Sequence, residues 1–157
     1  MKLRIILSLA LIAALPALAQ STDPTVHTSA DLQQREAKLM EAAKASPTGL
    51  ASATTDDFGT SKIVLVVRVH TGLAERHQFW ADQMVISTGT VTLLTGGAMQ
   101  EEKPNGASLG ETTGSGIQGG KEVVLHAGDI AHVPAGVPHW VKLAPGATTT
   151  YIIFKDK

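Results

Sequence analysis

Residue types whose spacing could do chemistry concentrate in Gly128–Trp140, which reads GDIAHVPAGVPHW. Gly128-Asp129 reads as a tight turn, because Gly accepts positive φ and Asp hydrogen-bonds nearby backbone. Pro134 and Pro138 fix φ and remove two backbone donors, so the chain between them is a stiff corner outside any sheet interior. That corner delivers His139 to the start of a new strand. One imidazole is thereby held in one place, as a metal or a reacting substrate requires. His132, two residues before Pro134, is a candidate acid or base beside it, or a rim histidine with no role.

Alternation extends the candidate set, since residues two apart in a strand point the same way. Glu75 faces with His77, Asp82 with Met84 and Ile86, and His139 with Val141 and Leu143. Each polar side chain begins or ends an apolar run directed at an interior, where it needs a partner. Imidazoles and carboxylates that converge in such an interior can hold a divalent metal. Without an ion, His77 and Asp82 can instead hydrogen-bond to each other as an interior polar pair.

The other histidines carry weaker signals. His27 lies in a polar spacer and reads as solvated; His126 precedes the Gly128 turn and reads as exposed. His70, at a strand end, is a candidate replacement ligand. Trp80 and Trp140 read as core or rim packing. Gly114–Gly119 matches G-x-G-x-x-G, but a strand (Lys121–Leu125, KEVVL) follows where a dinucleotide fingerprint needs a helix, so that reading is rejected.

The elements that must position these residues are mostly strands. Lys62–His70 (KIVLVVRVH) is rich in β-branched residues and reads as a largely buried strand. Leu73–Phe79, Gln83–Ser87, Val91–Leu94, Lys121–Leu125, Ile130–Val133, Trp140–Leu143 and Thr148–Phe154 follow, with Gly89 and Gly96-Gly97 as turns. Short strands punctuated by glycine point to an all-β antiparallel barrel or sandwich. The Gly-rich segment 103–120 reads as an irregular loop or edge hairpin along one rim. Before the strands, Asp31–Ala45 reads as one amphipathic helix, with Leu32, Leu39 and Met40 on one stripe and Ser29 or Asp31 as cap. Residues 46–61 read as a connector, so the expected division is 1–19 signal peptide, 20–61 spacer and helix, and 62–157 barrel.

The signal peptide follows from layout. Lys2 and Arg4 form a basic start, Ile5–Leu15 an apolar run, and Ala17-Leu18-Ala19 a small-x-small cleavage site. The expected location is periplasmic or secreted, with no membrane association after cleavage. Removing Lys2 and Arg4 from 13 basic residues leaves 11 against 14 acidic ones, which argues against nucleic acid as a partner. No Cys is present, which excludes disulfides, a thiolate nucleophile and thiolate metal ligands.

The opening stretch has the form G-x5-P-x-G-x2-H, met by Gly128, Pro134, Gly136 and His139, and it resembles the second motif of the cupin superfamily. His77, Asp82 and Gly89 match the spacing of the second half of the first cupin motif, with Asp82 where Glu is usual. Glu75 stands where a first His is usual, Leu143 where Asn is usual, and Gly72 is three residues before Glu75 where six are usual. The resemblance covers about residues 62–155 and is to small single-domain, type-2-like cupins. It implies a double-stranded β-helix, or jelly-roll, barrel behind the N-terminal helix. It also implies a divalent metal held by His77, Asp82 and His139, with Glu75 as a fourth ligand. N and O ligation suits Fe, Mn, Zn, Ni or Cu alike. An enzyme of isomerase, lyase or dioxygenase type acting on a small polar molecule is then expected, with Glu75 or His132 moving protons. The alternative is a small-ligand-binding or structural module without metal. A homodimer formed through sheet edges is also expected.

Overall fold

The computed structural model describes residues 24–106 and 108–157. The expected signal peptide, residues 1–19, lies outside the described residues. Among the described residues no helix is long and apolar enough to cross a membrane.

Helix α1 spans Ser29–Ala45. Its cap is Thr28, not the expected Ser29 or Asp31: the Thr28 side chain accepts from the Asp31 backbone while Asp31 reaches back, a capping box. Leu32, Glu36, Leu39, Met40 and the buried Ala43 recur at helical spacing on its inner stripe.

Thirteen strands follow among the described residues. They are β1 (Leu50–Asp57), β2 (Ser61–Arg68), β3 (Ala74–His77), β4 (Ala81–Thr88), β5 (Thr90–Thr95), β6 (Ala98–Gln100) and β7 (Lys103–Pro104). Then come β8 (Glu111–Gly114), β9 (Gly116–Gln118), β10 (Lys121–His126), β11 (Ile130–Val133), β12 (His139–Lys142) and β13 (Thr149–Asp156). A five-stranded sheet has the order β1-β2-β13-β4-β11, a six-stranded sheet β10-β5-β12-β3-β8-β7, and β6-β9 form a small third ladder. Every pairing is antiparallel.

The sheet therefore begins at Leu50, inside the stretch read as a connector. Its sequence LASATTDD lacks the β-branched apolar run that marks a strand, and it is held instead by pairing with β2 and by α1 lying across both. This explains why β2 is buried on both faces. Val66 points into the core with Met84, Ile86, Leu93, Val141 and Tyr151, while Leu65 and Val67 alternate to the helix side. Segment 103–120 supplies the β7–β8 hairpin at the edge of the six-stranded sheet and β9. Hairpin β6–β9 covers a satellite cluster of Ala74, Leu94 and Ile117 with Met99 and Trp140.

Candidate metal centre

The turn before β11 and the stiff corner after it behave as their composition requires. Gly128 (φ 92) and Gly136 (φ 77) take the left-handed conformations that side chains disfavour. The Gly136 amide donates to the His77 carbonyl at 2.8 Å, and the Gly96 amide donates to Pro138 at 2.9 Å. The corner is thus tied to the strand that carries His77. His139 then opens β12, paired with Glu75 on one side and Thr95 on the other.

Four residues meet inside the barrel: Glu75 and His77 from β3, Asp82 from β4 and His139 from β12. Ligand-type atoms of Glu75, His77 and His139 all lie within 4.8 Å of one another. The two imidazole centroids are 5.2 Å apart. Asp82 is only 1% exposed, and its Oδ2 lies 3.5 Å from His77 Nε2 and 3.7 Å from His139 Nε2. That oxygen is buried and has no hydrogen-bond partner among the described residues. A buried anionic oxygen without a partner is costly, so a cation between it and the two ring nitrogens would relieve the cost. The donor set of two imidazoles and carboxylate oxygens fits a divalent ion.

The outer nitrogens of both rings are engaged, which turns Nε2 inward. His139 Nδ1 faces the Val137 carbonyl at 3.4 Å, and His77 Nδ1 is bonded to Glu111 Oε2 on β8. Burial lowers the pKa of His139, which keeps its ring neutral and its lone pair available. For His77, burial opposes the charged form, yet the neighbouring Asp82 and the charge of Glu111 raise its pKa. Burial likewise works against Asp82 ionisation, but His77 and Lys155 outweigh it and bring its pKa down to about 2.

Three further residues complete the site. Glu111 sits in the Gly-rich segment, where it is cross-strand partner to His77. Lys155 Nζ is 2.6 Å from Asp82 Oδ1, again across a ladder. Arg68 bonds Tyr151 Oη through Nε at 2.7 Å and approaches Glu75 through Nη2 at 3.3 Å. Inward alternation from Val64 and Val66 marks Arg68, and from Tyr151 and Ile153 it marks Lys155; nothing comparable marks Glu111.

Two expected roles fail. His132 is exposed and pairs with Gln83, while its neighbour Val133 is the residue of β11 that faces the core with Asp82. Alternation therefore puts His132 on the outside of the sheet, away from the site, and it is not an acid or base there. His70 is exposed, bonded to the Thr71 carbonyl at 3.0 Å and packed over Gly49, so it is no replacement ligand. His27 is not freely solvated, since its Nε2 is 2.5 Å from Asp56 Oδ2 on β1. His126 is exposed, as expected. Trp80 is a rim residue beneath the Lys62 and Lys157 ammonium groups, and Trp140 packs on the satellite cluster.

The site opens into a cavity of about 120 Å³ bordered by Arg68, Glu75, His77, Tyr151 and Lys155. Beyond Lys155 and Glu111 a second cavity of about 290 Å³ runs past Lys62 and Trp80.

No family model and no curated protein matches the chain. Solved structures do match its fold. A Streptomyces PAC13 variant with uridine is 8% identical, with a TM-score of 0.50 over 71% of this chain and 72% of that one. An oxalate oxidase in complex with glycolate is 13% identical, with a TM-score of 0.51 over 72% of this chain. This chain spans only 53% of that oxidase. The cupin domain of Schizosaccharomyces pombe Cnp3 is 8% identical, with a TM-score of 0.50 over 69% of this chain and 64% of that one. The architecture is that of the cupin jelly roll.

Proposed function

We propose that the chain is an exported, metal-dependent cupin enzyme acting on a small polar molecule. The observation that carries this reading is the convergence of Glu75, His77 and His139, with the unpartnered Asp82 Oδ2 turned toward both Nε2 atoms. The ion would act as a Lewis acid, or as an oxygen-binding centre if it is iron. The protein's own part is legible in its contacts: Glu111 and the Val137 carbonyl orient the rings, and Lys155 holds Asp82. Glu75 borders the cavity beside His77 and is the candidate to move protons to and from a substrate there. Cupin-fold neighbours that hold uridine and glycolate are consistent with a small-molecule ligand.

A second reading has one observation in its favour. Lys155 already supplies a cation to Asp82, so the cluster is a partly neutralised polar core even without an ion. On that reading the chain is a ligand-binding or structural module. Metal content of the exported, purified protein separates the two. Stoichiometric Fe, Mn, Zn, Ni or Cu, lost in a His77→Ala, His139→Ala double variant, is the expected result. Metal absent from the wild type and not restored by any of these ions overturns the enzyme reading. The mass of the exported protein tests cleavage after Ala19, and its sedimentation tests the homodimer.

A further inference from the structure

Arg68 is 3% exposed and is not used up by its protein partners. Nε is bonded to Tyr151 and Nη2 approaches Glu75, but Nη1 has no hydrogen-bond partner among the described residues. Among the described residues the buried side-chain atom left without a partner is Asp82 Oδ2 and not Nη1, so Nη1 reaches open space where an anion could pair with it. The free end lies against Gly72: a Cβ added there would stand 2.5 Å from Nη1. Gly72 and Arg68 border a separate cavity of about 180 Å³, whose wall also includes Asn105, Thr113 and the aliphatic Leu50 and Leu73. Arg68, Glu75 and Leu50 are common to this cavity and to the one that holds His77. An anion seated on Nη1 would therefore place the rest of a small molecule toward the Glu75, His77 and His139 cluster.

From these features we propose that Arg68 anchors the carboxylate of a small organic acid, with Asn105 and Thr113 as flanking polar contacts. The planar fork of a guanidinium matches a carboxylate in shape and charge. The mixed lining of one cation, the Glu75 carboxylate that pairs with its Nη2, an amide, two threonines and two leucine side chains suits an acid with a short aliphatic body. This assignment rests on the enzyme reading for its place in catalysis, but not for the binding itself.

The test is titration of the exported wild-type protein with succinate, its neutral analogue succinamide and inorganic phosphate, followed by calorimetry or NMR. Metal content is measured on the same samples. Succinate is expected to saturate a single site, with succinamide and phosphate weaker by about tenfold or more, as loss of charge-assisted pairing implies. Arg68→Met is expected to weaken succinate by a similar factor. Should that variant not fold, Gly72→Ala serves instead, because its methyl displaces Nη1 without requiring an unusual φ. Equal binding of succinate and succinamide, tighter binding of phosphate than of succinate, or unchanged affinity in a folded Arg68→Met or Gly72→Ala protein overturns the anchor. Binding of succinate by a protein that takes up no metal would uphold the anchor and overturn the enzyme reading. Metal without succinate binding would do the reverse.

Discussion

Two ion pairs flank the imidazoles, and they are built differently. Lys155 and Asp82 are cross-strand partners on β13 and β4 within one sheet, 2.6 Å apart. Arg68 and Glu75 come from β2 and β3 in opposite sheets, and their contact is a looser 3.3 Å. Register alone brings the first pair together, whereas the second depends on how the sheets close on each other. The comparison teaches that proximity to the histidines does not define a role. Asp82 is a fixed wall of the site, and the Glu75–Arg68 contact is its looser end.

The largest expected effect breaks the fixed end. Asp82→Ala leaves Lys155 without its carboxylate inside the sheet, and a loss of about 3 kcal/mol in urea unfolding is expected. Glu75→Ala leaves Arg68 still bonded to Tyr151 and is expected to cost about 1 kcal/mol, so equal losses would erase the contrast. Acid sharpens it next. The folded pKa of Asp82 is lowered from 3.8 to about 2, so its contribution is present above pH 3.8 and lost as pH falls through about 2. This corresponds to roughly 2 kcal/mol. Wild type should lose that amount in this window, and Asp82→Asn should not; parallel profiles for the two would contradict it. The smallest effect concerns ring orientation. Glu111→Gln should weaken binding of added Zn²⁺ by about tenfold, read by competition with a chelating dye, with little change in unfolding. An unchanged affinity would remove Glu111 from the site.

Much of this was legible before the fold was known. Glu75, His77, Asp82 and His139 meet as alternation and the corner composition required, and the assigned strands agree with the observed ones apart from their ends. The misses have physical causes. Strand β1 is made of small polar residues whose strand character comes from its neighbours. Glu111 acts through register across a long stretch of chain, which no local pattern records, whereas Lys155 lies on the inward face that Tyr151 and Ile153 mark. For His132 the rim reading is the one the fold agrees with: the same alternation that turns Val133 inward turns His132 out.

Trp140 follows His139 directly, and its indole N–H donates to the Gly72 carbonyl at 2.8 Å. Gly72 is the residue that backs the Arg68 guanidinium. One side chain therefore spans the strand that begins at His139 and the segment behind the Arg68 guanidinium. In optical terms the chain carries its own gauge. It has two tryptophans, and Trp80 lies under two ammonium groups on the rim. With Trp80 replaced by Phe, the remaining emission belongs to an indole whose surroundings are the back wall of the site.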